Sequence, residues 1–400
     1  MITITEKSNC CGCEACVQVC PQQCIRFEQD DEGFYYPEIN TEECLDCGLC
    51  ERVCPELHQN EAQRPIEVLA AINKDEDVRM NSSSGGVFTL LANHVIDAGG
   101  VVFGVRFDEK WQAVFDCAET HEQVAAFRGS KYVQARVGNS FVRCKQLLDE
   151  DRQVLFSGTP CQIAALHRFL RKPYDNLLTV DFICHGVPSP KVWERYLDET
   201  VTEGRNAIDN IRFRDKCTGW KRYSLSIDFV KQKNSHTQTS PFTDNMFMRA
   251  FLANLTLRPS CHHCPAKAGR SGSDITIGDF WGIDIVKPDM DDNRGTSVVM
   301  INSTRGQKAV RRDFLKYSIV QYDDIVRYNV MMNLSANKHP HREMFFKGFN
   351  RGESLHMLMS RCLKPSVTKR LVYIAKDAVG VVKKKIQMIS NAASCALKSM

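Results

Sequence analysis

The sequence predicts an α/β protein with α+β elements, in which a small cysteine-rich domain precedes a larger α/β domain and a C-terminal helical tail. Two observations lead to this prediction. Eight cysteines form two runs of the same spacing between residues 10 and 54. From residue 67 onward, short apolar segments alternate with helix-like segments, a pattern typical of a sheet covered by helices. The expected domain boundaries are therefore 1–58, 65–360 and 361–400.

The two cysteine runs have the same spacing, and a proline follows each of them. In each, three cysteines lie three residues apart, a fourth follows after four, and Pro21 or Pro55 comes next. This is the spacing of two-cluster ferredoxins, in which the fourth cysteine of each run ligates the cluster of the other. One 4Fe-4S cluster is thus assigned to Cys10, Cys13, Cys16 and Cys54, and the second to Cys44, Cys47, Cys50 and Cys20. Zinc is the alternative. The spare Cys11 and Cys24 flank the first run, and Cys11 competes with Cys10 as a candidate ligand.

Composition narrows the class of protein. Hydrophobic residues make up 43% of the chain and charged residues 25%, as in ordinary globular proteins. No apolar run approaches the ~20 residues of a membrane span, and the first residues lack a signal-peptide pattern. Thiolates kept free for metal require a reducing compartment. We therefore expect a cytoplasmic protein with no transmembrane segment and no nucleic-acid partner.

The charge of the first 64 residues is strongly negative, with 13 Asp and Glu against 4 Lys and Arg. Such a negative charge favours docking on a basic redox partner. The alternative is that the acidic side chains only keep a small domain well solvated. Beyond Pro365, an apolar stripe and the basic run 383–385 predict one further helix. We interpret it as a docking or coil-forming tail in preference to a helix on a membrane surface.

Elements follow from apolar periodicity and from glycine and proline breaks. Strands are predicted at 24–27, 33–39, 67–73, 101–107, 113–117, 154–157, 177–184, 225–230, 274–278 and 297–302. Helices are predicted at 87–97, 139–149, 161–170, 191–201, 244–252 and 305–317. The order of the strands in the sheet does not follow from these patterns.

Two loops of the larger domain combine small residues with chemistry that suits a cofactor. The loop 82–86 precedes a helix, and its serines and glycines allow backbone N–H groups to approach a phosphate. A helix cap with a tight turn is the alternative. The loop 127–132 supplies two cations, a flexible glycine and a ring, which suits an anionic aromatic cofactor, but it also fits an ordinary surface turn.

A further set of cysteines lies in glycine- and proline-flanked segments near strand ends. Cys161 and Cys184 each follow a predicted strand, and Cys261 and Cys264 form a compact two-thiolate hook. The carboxyl ends of strands are where α/β proteins bind ligands. These four cysteines predict a third 4Fe-4S site, with zinc or a redox dithiol as the alternative.

With these motifs, the chain resembles the family of coenzyme F420 hydrogenase/dehydrogenase beta subunits over residues 1–305. The matching segments are 83–86, 129–134, 158–162, 184–186, 219–221, 258–264 and 278–282. The resemblance implies an FAD-binding domain with an adjacent 4Fe-4S cluster, whose ligands would be Cys161, Cys184, Cys261 and Cys264. It also implies FAD contacts at Ser83, Ser84, Gly85, Gly86, Gly129, Ser130, Lys131 and Tyr132.

The expected function combines these parts. Clusters carry single electrons, whereas a flavin exchanges two and can transfer a hydride. The resemblance therefore implies an oxidoreductase that links ferredoxin-type clusters, FAD and a small two-electron substrate such as a deazaflavin coenzyme. Lys131 and His185 are the catalytic candidates, because either could steady the charge of reduced flavin, although His185 also fits an ordinary strand-end position. The alternative is a non-catalytic electron-transfer subunit that docks on a redox partner protein.

Overall fold

The computed structural model describes residues 1–231 and 234–364. The helix expected beyond Pro365, and with it most of the predicted tail, lies outside these residues. Within them, no helix has the length and apolar character needed to cross a membrane. The described chain forms a cysteine-rich head (residues 1–58), a large mixed sheet, a smaller sheet and the helices around them.

The head contains two short helices and one hairpin, namely α1 (Ala15–Val19), β1 (Ile25–Gln29), β2 (Tyr35–Ile39) and α2 (Leu49–Arg52). β1 pairs antiparallel with β2. Asp30 shapes the turn between them, because its carboxylate accepts hydrogen bonds from the backbone N–H groups of Glu32 and Phe34 at 3.1 and 2.9 Å. The hairpin expected in the head is thus confirmed.

The larger domain contains the remaining strands and helices. Its strands are β3 (Glu67–Asn73), β4 (Val101–Phe107), β5 (Ala113–Ala118), β6 (Val154–Gly158), β7 (Leu177–Phe182), β8 (Ile208–Asp215), β9 (Ser224–Lys231), β10 (Asn234–Pro241), β11 (Ile275–Asp279), β12 (Ser297–Ile301) and β13 (Leu315–Ile319). Its helices are α3 (Glu76–Met80), α4 (Val87–Asp97), α5 (His121–Ala125), α6 (Ser140–Asp149), α7 (Pro160–Leu170), α8 (Pro190–Thr200), α9 (Met246–Leu252), α10 (Ile283–Val286), α11 (Thr304–Ala309), α12 (Tyr322–Tyr328), α13 (Arg342–Asn350) and α14 (Leu355–Cys362).

The large sheet has the strand order β13-β3-β12-β11-β7-β6-β4-β5. Its centre, β11-β7-β6-β4, is parallel, and the outer pairs are antiparallel. Because β12 runs opposite to both β3 and β11, the carboxyl end of β3 meets those of the parallel strands. We call this side of the sheet the carboxyl edge, and it is where ligands bind in open α/β sheets.

The head has a small apolar cluster around its cysteines, and other head residues join the core of the larger domain. The apolar head residues Ala15, Phe34 and Val53 are completely buried, and they pack in the same cluster as the large sheet and the smaller sheet β10-β9-β8. Trp193 of α8 and Phe213 of β8 meet in this cluster with ring centroids 4.9 Å apart. The head and the larger domain are therefore stabilised by one continuous hydrophobic core.

Polar contacts also attach the head to the larger domain. Glu14 is buried and forms an ion pair with Arg136 at 2.8 Å. Glu32 pairs with the buried Arg342 at 2.5 Å. The Gln18 side-chain oxygen accepts hydrogen bonds from two N–H groups in the first turn of α6, at 2.9 and 3.2 Å. A residue of the head therefore caps a helix of the larger domain.

The observed elements differ from the expected ones at several places in the larger domain. The helix expected at 305–317 is wrong in its second half, because α11 ends at Ala309 and β13 begins at Leu315. β13 alternates apolar Leu315, Tyr317 and Ile319 with polar residues, which is the period of a strand, and it pairs with β3 at the sheet margin. Strands β8 and β10 were not expected, since both are rich in polar residues.

Candidate redox site

The cysteines of the head line two cavities. One cavity is lined by Cys10, Cys13, Cys16 and Cys54, and we call it the junction cavity. The other is lined by Cys20, Cys44, Cys47 and Cys50, and we call it the outer cavity. The structure thus brings together the two ligand sets that the cysteine spacing predicts, although the ligands themselves remain a prediction.

The donor chemistry of these cavities fits iron-sulfur clusters. Their walls combine thiols with apolar side chains, and backbone N–H groups of Ile2 and Asp46 point at the sulfurs of Cys50 and Cys44, both at 3.4 Å. Within the described part of the chain, no three His, Cys, Asp or Glu side chains are placed to hold a single metal ion.

The spare cysteines lie against the predicted ligands. Cys24 lines the outer cavity, and its sulfur is 3.4 Å from that of Cys20. Cys11 lines the junction cavity, and its thiol is a close neighbour of the thiols of Cys13 and of Cys161 in the larger domain. The neighbouring Cys13 thiol, together with burial, raises the pKa of Cys11. Cys11 thus connects the head to the second group of cysteines.

That second group gathers at the carboxyl edge. Cys161 lies in the first turn of α7 behind β6, and Cys184 follows β7. Burial raises the pKa of Cys264 to about 12, with further contributions from Cys161 and Cys184. Burial and the nearby Cys184 and Cys264 likewise raise the pKa of Cys261. The four cysteines predicted to hold a third cluster therefore form one spatial group, which we call the inner cysteine group.

The inner cysteine group has a cation beside it. Lys267 is buried, and its ammonium donates to the backbone carbonyls of Cys184 and Met331. The backbone N–H of Val187 donates to the Cys261 sulfur at 3.4 Å. A buried ammonium whose hydrogen-bond acceptors are neutral carbonyls suits a site that holds an anionic cluster. The residues present therefore fit a 4Fe-4S group bound by these four thiolates.

The two predicted cofactor loops meet at the same edge. The hydroxyl of Ser83 accepts a hydrogen bond from the Ser130 backbone N–H at 2.8 Å and lies 3.0 Å from the Ser130 hydroxyl. Ser84 donates to the carbonyl of Thr296 at 2.9 Å. Gly86 has φ +83° and precedes α4, whose first turn has no side-chain cap. The loops thus present an uncapped helix N-terminus, the usual setting of a phosphate.

Cations surround these loops. Lys131 donates to the carbonyls of Ala126 and Arg128, both at 2.9 Å, and burial lowers its pKa to about 7. Lys216 donates to the carbonyls of Arg79 and Ser84 at 2.7 and 2.6 Å, and burial lowers its pKa to about 7 as well. These lysines lack anionic acceptors, so the residues present fit an anionic group such as the diphosphate of FAD.

The glycines of the two loops have different roles. A Cβ at Gly85 would collide with the Ala71 carbonyl and with the backbone N–H of Ser297, so this glycine permits the loop to pack on the sheet. Gly129 has φ +76° and open space where a Cβ would stand. The open side of the loop pair therefore lies at Gly129, and Gly85 faces the protein.

The segments that carry the two catalytic candidates meet at one ring. Tyr132 stacks on Phe251 with centroids 4.6 Å apart, and His185 meets the same ring edge-on at 5.0 Å. His185 bonds Asn254 at 2.6 Å, and burial lowers its pKa. Because His185 adjoins Cys184 in sequence, Phe251 connects the inner cysteine group with the loop that carries Lys131. The structure thus brings His185 and Tyr132, the chain neighbour of Lys131, against the same ring.

Several site residues escaped the sequence analysis. Arg214 forms a buried ion pair with Asp279 at 2.5 Å and donates to the Tyr132 hydroxyl at 3.2 Å. Trp220 donates to Asp279 at 2.9 Å and stacks on Trp281 at 5.2 Å. Asp279 and Trp281 belong to the glycine-flanked segment 278–282, so position in a motif was the available signal. Arg214 lies on the unexpected strand β8, and Lys216 follows directly after it. Neither residue belongs to a motif, so no signal in the sequence pointed to them.

The fold and the site define a class of protein, a ferredoxin-type head joined to an α/β redox domain. The chain belongs to the family of coenzyme F420 hydrogenase/dehydrogenase beta subunits. The family models for the N-terminal part and for the C terminus of the beta subunit match residues 68–140 and 151–324. A 4Fe-4S dicluster domain matches residues 9–57. The protein is accordingly an iron-sulfur redox protein of the electron-transfer type.

Individual relatives are distant. An uncharacterized protein of Methanocaldococcus jannaschii is 25% identical over 44% of this chain and 56% of its own length, so the match spans little more than half of that relative. One of the subunits of the F(420)H(2) dehydrogenase of Methanosarcina mazei is 23% identical over 65% of this chain and 72% of its own length. A 7Fe ferredoxin of Hydrogenibacillus schlegelii is 46% identical over 10% of this chain and 46% of its own length.

A solved structure, the F420-reducing NiFe hydrogenase complex from Methanosarcina barkeri, contains a chain that superimposes with a TM-score of 0.45. The two chains are 15% identical, and the superposition covers 75% of this chain and 92% of the other.

Proposed function

We propose that this protein is an iron-sulfur flavoprotein oxidoreductase of the F420 hydrogenase/dehydrogenase beta-subunit type. It would pass electrons between two 4Fe-4S clusters in the head, a third cluster in the inner cysteine group, and FAD. The final partner would be a two-electron small molecule such as a deazaflavin coenzyme. One observation supports this proposal above the others, namely the grouping of the eight head cysteines around two cavities, one of which also contains Cys11, a close neighbour of Cys161 in the inner cysteine group.

Each site has proposed residues. The cluster ligands would be the four cysteines of the junction cavity, the four of the outer cavity and the four of the inner group. FAD would lie along the loops that carry Ser83 to Gly86 and Gly129 to Tyr132. When bound, FAD supplies the exchange of two electrons that clusters cannot perform. Lys131 would hold positive charge at the flavin or its phosphates, and His185 would donate a hydrogen bond near the inner cysteine group.

The alternative is an electron-transfer subunit without its own substrate site. The relative from Methanosarcina mazei is named as part of a dehydrogenase with several subunits, which favours a protein partner for this chain too. Cys47 of the outer cavity is exposed, and its neighbour Asp46 is exposed as well, so a basic partner could approach there. Both alternatives place the protein in the cytoplasm, where thiolate ligands remain reduced.

The visible spectrum, flavin content and iron content of anaerobically purified protein distinguish these functions. The proposed enzyme should carry about twelve irons per chain, as three 4Fe-4S clusters require, together with one flavin. Iron without flavin would favour the electron-transfer subunit. A colourless protein that contains zinc would contradict both.

A further inference from the structure

Arg258 is a completely buried arginine between the head and the larger domain. Its guanidinium donates to the Cys10 carbonyl at 2.8 Å and to the Tyr35 carbonyl at 2.9 Å. It also donates to the Gln134 side-chain oxygen at 3.0 Å and reaches the Cys10 sulfur at 3.5 Å. Arg258 therefore bonds the head directly beside the junction cavity, although it belongs to the segment that carries Cys261.

The acceptors of this buried charge are all neutral. They are two carbonyls, one amide and one thiol, and the rings of Tyr36 and Phe34 lie within 4.2 and 5.5 Å of the guanidinium. A buried cation without a carboxylate is costly to hold. Its electrostatic neighbours include Cys10, Cys11 and Cys261. Thiolates that bind iron at these positions would supply the missing negative charge.

The outer cavity offers a matched arginine in a different setting. Arg52 donates to the Cys47 carbonyl at 2.9 Å, as Arg258 does to that of Cys10. Arg52 is exposed, however, and water and salt screen its charge. Asp46 lines this cavity, and both Asp46 and the nearby Glu51 pair with the N-terminal ammonium. The two cavities share their cysteine spacing but differ in the charge buried beside them.

Two carboxylates line the junction cavity, and within the described part of the chain neither forms an ion pair with Arg258. Glu14 is paired with Arg136. Glu56 is an electrostatic neighbour of Arg258, and one of its carboxylate oxygens is buried without a hydrogen-bond partner. The guanidinium, in contrast, lies within hydrogen-bond distance of a predicted ligand sulfur, at 3.5 Å.

We infer that Arg258 is a positioning residue that raises the reduction potential at the junction cavity above that at the outer cavity. Reduction of a cluster would add one electron and would neither form nor break a bond. Because the reduced form carries one more negative charge, a fixed, desolvated cation beside it stabilises that form. An external one-electron donor would reduce the outer site first. The electron would then pass to the junction site, and the outer site would return to its oxidised form. Arg258 thereby favours movement of electrons inward, toward Cys161. This inference rests on the proposed clusters.

The test is a redox titration of the full-length holoprotein followed by electron paramagnetic resonance, with dithionite as the reductant. Arg258→Gln should lower the midpoint potential of one head cluster by at least about 59 mV, which is a tenfold change in the equilibrium constant of a one-electron reduction. Arg258→Lys keeps the charge and should retain most of the wild-type potential. Arg52→Met is the matched control and should leave every midpoint unchanged.

A second variant keeps the inference testable if Arg258→Gln does not fold. Gln134→Glu puts a carboxylate against the guanidinium with almost no change of volume, and it should lower the same midpoint. Unchanged midpoints in both variants at full iron content would overturn the role of Arg258. An equal downward shift in Arg258→Lys would overturn the role of its charge. Wild-type protein without head iron would instead refute the proposed clusters.

Discussion

Lysines whose ammonium groups donate to backbone carbonyls recur around the candidate cofactor sites. Lys216 and Lys131 lie at the two loops, and Lys267 lies at the inner cysteine group. An ammonium in such surroundings tends to lose its proton unless an anion is close. The lowered pKa of Lys216 and of Lys131, both about 7, is the expected sign of such a site when no anion is bound.

Lys216 gives a prediction about pH. Its folded pKa of about 7 lies below the ordinary value of 10.5, so the unfolded chain binds more protons between these values. The free energy of unfolding should therefore rise with pH above about 7, by up to about 1.4 kcal/mol per unit from this group. Urea unfolding of flavin-free protein at pH 7.5 and 9 should detect the rise.

The control for this pH prediction is a pair of variants. Lys216→Met should flatten the pH dependence, and the same change at the exposed Lys110 should leave it as in wild type. Parallel pH curves for wild type and Lys216→Met would contradict the assignment of the titration to Lys216.

Lys131 gives a prediction about flavin. Lys131→Ala removes a cation beside Gly129, on the open side of the loops, and a charge-assisted bond to an anion contributes about 1.5–3 kcal/mol. Flavin affinity should therefore fall by one to two orders of magnitude, measured by the fluorescence of released flavin. Lys110→Ala should retain wild-type flavin. Full occupancy in Lys131→Ala would mean that the flavin site lies elsewhere.

At the scale of elements, the ends of β6 and β7 and the 3₁₀ turn Pro259–His262 bring the inner cysteine group together. β6 and β7 are adjacent and parallel, so Cys161 and Cys184 come to the same side of the sheet. The cysteine hook 261–264 reaches them because the Val187 carbonyl accepts from the Arg258 backbone N–H at 2.9 Å. A change in this group should affect one site and spare the two head cavities.

Cys264→Ser tests this separation. The variant should lose about four irons of about twelve, because serine is a poor ligand for a 4Fe-4S cluster, while the head clusters remain. Reduction of flavin by electrons that enter at the head should slow sharply, and direct chemical reduction of flavin should persist. The exposed Cys217 provides the control, since Cys217→Ser should change neither iron nor rate. Full iron in Cys264→Ser would contradict the third cluster.

Cys144 is a less suitable control than the exposed cysteine. It lies on α6 and is completely buried in the main hydrophobic core, where burial raises its pKa. In this position the cysteine acts as a small hydrophobic residue. A serine there would bury a hydroxyl among apolar side chains and destabilise the fold for reasons unrelated to iron.

At the scale of the whole molecule, the head is part of the fold of the larger domain. Its residues Ala15, Phe34 and Val53 share an apolar cluster with the sheet, and Glu14, Glu32 and Gln18 bond the larger domain. Removal of the head would leave Arg136, Arg342 and Arg258 without the partners that the head supplies. The predicted boundary near residue 58 therefore marks a change in composition and motif. It does not separate two independently packed domains.

Deletion of the head tests this coupling. A chain starting at residue 59 should be less stable than the full-length protein and should bind a hydrophobic dye, because apolar surface and buried charges become exposed. Full-length protein stripped of iron is the control, since it keeps the packing of the head. A truncated chain that unfolds at the same urea concentration as that control would contradict the shared core.

The local features of this protein were determined by its sequence alone. The cysteine ligands of a ferredoxin-type cluster are recognised by their spacings of three and four residues. A hairpin or a helix is likewise predicted from the periodicity of a short segment. The two cysteine runs, the hairpin of the head, α4 and β4 were predictable for this reason. The loops that carry Ser83 to Gly86 and Gly129 to Tyr132 were recognisable by motif.

Contacts between distant segments were decided only by the tertiary structure. Arg258 meets Cys10, Cys11 meets Cys161 and Lys216 meets Ser84, and each pair is separated by more than 100 positions in the chain. No local pattern encodes such a contact, because it depends on the strand order and on how the head packs. Gly85 illustrates the difference. The sequence suggests a glycine for phosphate, and the fold uses it for backbone packing against Ala71.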